Sequence, residues 1–306
     1  MQPEDYESEE ENPVSYSIDN AILMHRDAHF AGSFPLMLEY YRVEGKKGAN
    51  PEFELTRIEA LYETERKSGK NLSPLLLSGA EAEKVGEALE AYRSLRTLYE
   101  DKTTGKLPLL IADLILSEEE DEEKAMEAVI TQKSAIVPLL IDLIRSEKFY
   151  SPLFPGYGEA PILAAQCLGK IGDKRSLISL FEMLGEGDFF NEDLVLESLY
   201  AIGDPAKQFL LKVLQGHPIN YDNERAALAL IRFKEDPEVS LACLKLLKEI
   251  DIKKHTSFAT YLVLNCEKLP EKERAEIAQF AKDPNIPKMV QQDLLALEKT
   301  WRAEGS

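Results

Sequence analysis

Apolar positions in Ala160–Leu184 fall in two helical runs separated by a tight turn. Ile162, Leu163, Ala165, Cys167, Leu168 and Ile171 form the apolar side of the first run. Leu177, Leu180, Phe181 and Leu184 then follow the i, i+3, i+4, i+7 spacing of one helix face. Gly172-Asp173 divides the runs, because glycine tolerates the left-handed residue that closes a helix and aspartate can cap the next one. The unit returns in Asn191–Leu214 and again in Asn223–Leu247. Its turn aspartates are Asp173, Asp204 and Asp236, spaced 31 and 32 residues apart.

The same rhythm extends outward from these copies. Leu107-Pro108-Leu109-Leu110 is echoed 30 residues later by Val137-Pro138-Leu139-Leu140, each opening the second helix of a pair. Lys148–Pro161 interrupts the register with three prolines, two glycines and four aromatic residues, and reads as an expanded loop. Beyond Leu247 the pattern decays through His255–Leu269, Glu271–Lys282 and Lys288–Trp301. Ahead of the pairs, Ser17–Phe30 and Phe34–Val43 read as helices divided by Gly32-Ser33. A longer helix is predicted from Pro51 to Ser68, a short Ser-Pro start within Asn71–Leu77, and an amphipathic helix over Ala80–Glu100.

These elements predict an all-α chain, an α-solenoid of antiparallel helix pairs. About seven pairs are expected, each packing only on its neighbours. Residues 1–16 form an acidic tail with too little apolar content to fold, and are expected to be disordered. Residues 17–103 are expected to be an irregular helical N-terminal cap region, 104–284 the repeats and 285–306 a C-terminal capping helix. Trp301, the one tryptophan, is expected to pack that cap onto the last pair.

Ala164-Ala165, Leu168-Gly169, Ile171-Gly172-Asp173, Leu180 and Leu184 resemble a HEAT repeat, of the subclass also found in phycobilisome lyases. The match is good in the first copy and fair in the next two, and it covers Ala160–Leu247. HEAT-repeat proteins bind unrelated partners with this pattern, so the resemblance implies a fold and leaves the function open. It implies first a non-catalytic scaffold or adaptor for protein binding, and second an enzyme or ligand carrier of the bilin-lyase HEAT type. No catalytic residue carries over from those lyases.

Charge narrows the partners. The chain has a net charge of −19. Six acids in Glu4–Glu11 and six more in Glu118–Glu123 account for twelve of those charges, so the body carries −7. A phosphate-gripping surface needs Lys and Arg to release counterions, which argues against nucleic acid and leaves room for a basic partner. The acidic runs can equally serve only as solvated, self-repelling chain. The N-terminus lacks the basic flank and apolar centre of a signal peptide. No apolar run approaches the roughly 20 residues that span a bilayer. No membrane insertion is therefore expected, and the simplest localisation is cytoplasmic.

Candidate chemistry is sparse. Cys167, Cys243 and Cys266 have no CxxC spacing, so no disulfide framework or zinc site is indicated, and free thiols fit a reducing compartment. His25 and His29 share a helix face at ligand spacing, but a closed metal site needs about four ligands and no third is evident. The alternative is that both sit at the edge of a core. HEAT hydroxylases hold iron with His-Glu dipeptides, whereas the four histidines here precede Arg26, Phe30, Pro218 and Thr256. No phosphate-binding loop or nucleophile elbow is present. No catalytic residue, metal or cofactor is expected.

One edge of the predicted solenoid is more informative. The connections between pairs carry Tyr150, Phe154, Tyr157, Phe189, Phe190 and Tyr221, accompanied by Asp188 and Asp222. These eight are the candidate partner-binding residues, for a protein or peptide with a basic segment. The competing reading is that the rings fold back over helix ends.

Overall fold

The computed structural model describes residues 18–185 and 189–304, with positions 189, 190 and 304 as backbone alone. The predicted acidic tail, 1–16, lies outside them. Among the described residues the chain is all-α, with seventeen α-helices, four short 3-10 helices and no strand. No described helix is long and apolar enough to cross a membrane. The contacts group the chain into two compact units. One holds the residues up to Ala125 with Ser146–Ala160, and the other holds Met126–Arg145 with Pro161 onward.

The first unit contains α1 (Ile18–His29), α2 (Phe34–Tyr41), α3 (Leu55–Ser68), α4 (Ser73–Leu76), α5 (Gly79–Glu100) and α6 (Lys106–Ile115). Helix α1 is its centre, packed against α3, α4 and α5. Ile22 and Leu23 of α1 join Phe34, Met37, Phe53 and Ile58 in the main core. Ser33 caps α2 and Pro35 occupies its first turn, where a missing N–H costs nothing. Helix α3 starts at Leu55 rather than at Pro51, because Phe53 turns into the core and its N–H is taken by Asn50 O at 3.0 Å.

Arg26 departs most from the amphipathic pattern. It sits in the last turn of α1, where a cation complements the helix dipole, and its side chain is fully buried. Its guanidinium donates to Asp27 at 2.8 Å, Glu65 at 2.7 Å, Asn71 at 3.1 Å and Ser73 at 2.8 Å. It also lies 4.4 Å from the Phe34 ring centre. Each guanidinium nitrogen thus meets an acceptor, the condition for burying a charge without a large desolvation loss. Ile18, spaced as though it belonged to the apolar face, is instead exposed.

Helix α7 (Glu122–Ile130) crosses the division between the units. The second unit continues with α8 (Val137–Ile144), α9 (Ala160–Ile171), α10 (Leu177–Glu182), α11 (Phe189–Ile202), α12 (Asp204–Leu214), α13 (Tyr221–Leu230) and α14 (Pro237–Glu249). It ends with α15 (Thr256–Leu264), α16 (Glu271–Lys282) and α17 (Lys288–Glu304). The turn aspartates divide in role. Asp173 caps by accepting from Arg175 N at 3.0 Å and Asp236 from Glu238 N at 2.9 Å. Asp204 begins α12 and pairs with Lys207 at 3.0 Å. Trp301 is buried, and its indole donates to Glu267 O at 2.7 Å. The three cysteines are free and buried. Burial pushes the Cys167 and Cys266 thiols up to about 12, so they behave as small apolar groups.

Gly172 adopts φ +73° after α9, as its position past the last apolar residue predicts, and the space around its Cα is open. A side chain there strains the backbone without meeting a neighbour. Gly172→Val should destabilise the unit by about 1–2 kcal/mol, the cost of the left-handed region for an L-residue. An unchanged melting midpoint would contradict that turn.

Candidate partner-binding site

The first unit receives three of the candidate aromatics. Tyr150 ends a 3-10 turn, Glu147–Tyr150, and is 44% exposed. Phe154 is buried, packed with Ala28 and Ala88. Tyr157 has a positive φ of 55°. Its ring lies against Gly48, where a Cβ would come within 2.3 Å of it, and its centroid is 4.6 Å from that of His29. Gly156 and Gly158 take φ +83° and +90° with their Cα atoms against the carbonyls of Ile115 and Tyr150. The proline-rich loop is therefore folded onto its own unit, and Phe154 and Tyr157 point inward. The paired glycines around Tyr157 were the sequence signal for this close approach.

Beneath Tyr157 lies the histidine pair. The rings of His25 and His29 are 4.4 Å apart. His29 Nδ1 is 2.8 Å from the Tyr92 hydroxyl and its Nε2 2.9 Å from Pro152 O. His25 Nε2 is buried without a hydrogen-bond partner, and its ring edge lines a cavity of about 350 Å³ with Met24, Phe53 and Leu153. Burial, then the neighbouring His29, lowers the His25 pKa to about 3. Burial lowers that of His29 to about 4. Both are neutral in ordinary buffers. Among the described residues, no three His, Cys, Asp or Glu side chains converge as metal ligands. Burial pushes the Tyr92 and Tyr157 phenols well above their usual range, so they serve as neutral partners.

In the second unit, Tyr221 opens α13 with 59% of its surface exposed, and Asp222 beside it is also exposed. Asp188 and the side chains of Phe189 and Phe190 lie outside the described residues. The Tyr221 hydroxyl presses on Gly185, where a Cβ would approach to 2.5 Å. Tyr221 forms one wall of an open pocket of about 270 Å³, shared with Glu192 of α11, Glu224 and Leu228 of α13, and Tyr261 of α15. Arg225 lines it too. Its guanidinium donates to Phe181 O at 2.9 Å, lies over the rings of Phe181 and Tyr221 at 4.6 and 5.6 Å, and is 3.7 Å from Asp222. Partial burial raises the Tyr261 pKa, and the charges of Glu224 and Glu192, which line the same pocket, add to the rise. The sequence singles out neither Tyr261 nor Glu224, whereas Glu192 is one of the acids beside the aromatic connections.

No family model, curated protein or solved structure matches the chain.

Proposed function

We propose that the chain is a HEAT-type α-solenoid of antiparallel helix pairs, acting as a scaffold or adaptor that binds a protein or peptide with a basic segment. The packing of the second unit supports the solenoid. Its main contacts between α-helices join each to the next or next-but-one, as in α11 with α12, α13 with α15 and α15 with α17. Polar links recur near the repeat period: Lys207 to Asp236 at 2.6 Å and Lys234 to Glu267 at 2.6 Å. A chain built of stacked pairs contacts only its neighbours in this way.

The observation that carries the binding role is Tyr221 with Asp222. A large ring and an acid stand in solvent where the loop enters α13, beside a concave acidic pocket. Exposed aromatics on a rigid scaffold are typical interface anchors. Tyr150 offers a second exposed ring in the first unit.

The test is affinity capture with the full chain from its source cells, read by mass spectrometry beside a Tyr221→Ser, Asp222→Asn variant. An anchor ring that enters a pocket contributes roughly 1.5–3 kcal/mol. The variant should therefore hold its specific partner at least about tenfold more weakly, with an unchanged melting midpoint. Equal capture by both proteins contradicts the reading.

The cavity beside His25 favours a second reading, a carrier for a small ligand of the kind the bilin-lyase resemblance implies. An apolar wall with an unpaired imidazole nitrogen suits such a molecule. A chromophore in the visible spectrum of the purified protein would support it.

A further inference from the structure

We infer that the pocket between Tyr221 and Tyr261 takes an arginine side chain from an extended basic peptide. This rests on the binding role proposed above and names its ligand. The pocket comes from the repeat itself. Asn191-Glu192 and Asn223-Glu224 are the same dipeptide, 32 residues apart, at the start of successive first helices. Asn223 is committed inward, donating to the carbonyls of Val213, Leu214 and Gly216 at 3.0, 2.9 and 2.8 Å. That clamp fixes α13 on the end of α12, and the residue after it, Glu224, reaches the pocket. Glu192 enters the same pocket from α11.

Neither carboxylate has a hydrogen bond or ion pair among the described residues. The nearby cation, Arg225, makes no hydrogen bond or ion pair to either of them. Arg225 donates to Phe181 O, lies over two ring faces and stands 3.7 Å from Asp222, while its Nε is buried without a hydrogen-bond partner. Two half-buried carboxylates therefore share with a single guanidinium, bonded elsewhere, a concave site walled by tyrosines, which leaves the site one negative charge in excess. Acids alone would attract any cation. Carboxylates beside an aromatic face select one that is planar, forked and able to stack. A guanidinium has that shape, and an ammonium acts only as a point charge. An anionic ligand is repelled. The pocket holds a side chain rather than a folded surface, and its open mouth suits an extended backbone.

The net charge of −19 attracts basic peptides to the whole molecule, so the test must separate the pocket from the field. Fluorescence anisotropy would follow a labelled nonapeptide of glycine, serine and three arginines binding to the full chain. Salt of about 0.15 M screens contacts beyond roughly 8 Å. Glu192→Gln with Glu224→Gln should weaken binding at least about tenfold, the usual scale for charge-assisted pairs. Glu52→Gln with Glu83→Gln removes the same charge from exposed sites on the other unit and should leave binding unchanged. Tyr261→Leu keeps the net charge and should weaken binding at least about threefold, whereas Tyr261→Phe keeps the ring and should bind like the wild type.

Equal loss from both glutamate pairs, full binding by Tyr261→Leu, or equal affinity for a lysine version of the peptide would each overturn the inference. Should Tyr261→Leu fail to fold, the two glutamate pairs and the lysine peptide still decide. If the arginine peptide does not bind while Tyr221→Ser, Asp222→Asn still loses its cellular partner, this inference falls and the scaffold reading stands. If the peptide binds at the pocket and no partner is captured, the scaffold reading falls alone.

Discussion

Gly169→Val is expected to lower the melting midpoint by roughly 6–12 °C, from a loss of about 3 kcal/mol at 2–4 °C per kcal/mol. Gly169 lies within α9, facing Ser198 of α11. A Cβ built on it would stand 2.7 Å from Ser198 Cα and 2.8 Å from Ser198 O. Those are backbone atoms of a packed helix, so no side chain can swing aside to relieve the clash. Ser198 is itself buried and donates to Leu194 O at 2.7 Å, which holds it in place. Helices α9 and α11 approach so closely only because this position lacks a side chain. Even alanine should destabilise here, although alanine in a helix gains about 1 kcal/mol over glycine. Gly86 is the internal control. It lies in α5 with open space around it, so Gly86→Ala should stabilise by about 0.5–1 kcal/mol. Paired melting curves for the two alanine variants should move in opposite directions. A shared direction would show that the α9–α11 approach is not as tight as described.

The contrast between Gly169 and Gly172 marks what was legible in the sequence. Gly172 follows the last apolar residue of its helix, a local signal, and its positive φ was predicted from that place alone. Gly169 belongs to the repeat pattern, but its partner is 29 residues away and no window around it reveals the contact. Arg26 was illegible for the same reason. Its partners Glu65, Asn71 and Ser73 come from distant chain, and an arginine one residue from a histidine reads locally as a polar position. The aromatic loop leaves two readings open in the sequence, an exposed rim or rings folded back. Phe154 fills space left by Ala28 and Ala88, two small residues on different helices, and only the packed fold brings them together. The glutamates of the tyrosine pocket stood in plain view as a repeated Asn-Glu. Glu192 stands in the sequence as one of the acids beside the aromatic connections, and only the fold brings it into one pocket with Glu224 and Tyr261.

Acidification is expected to weaken the first unit below pH ~6.5, the unperturbed histidine value, before most carboxylates titrate. His25 and His29 are held at about 3 and about 4 in the folded chain. Their folded pKa values lie below the unfolded value, so the unfolded chain binds more protons across that window. The contribution is fully present above the unfolded value and is lost as pH falls toward the folded ones. Each imidazole removes up to about 1.4 kcal/mol per pH unit, so two together can remove roughly 5 kcal/mol between pH ~6.5 and ~4.5. The physical cause is burial first. His25 is 5% exposed, ringed by Phe30, Tyr41 and Phe53, and a charge there has no counter-ion within the cluster. His25→Leu removes one of the two titrations and leaves His29 bonded to Tyr92 and Pro152 O. Amide exchange across Ile18–His29 is the suitable readout, since it follows the opening of α1 itself whatever the second unit does. Protection in the wild type should fall as pH drops from 7 toward 4.5 after correction for the intrinsic exchange rate. In His25→Leu that fall should be shallower by about 1.4 kcal/mol per pH unit. Matching slopes would mean that His25 titrates near its ordinary value and that the cluster is open to water.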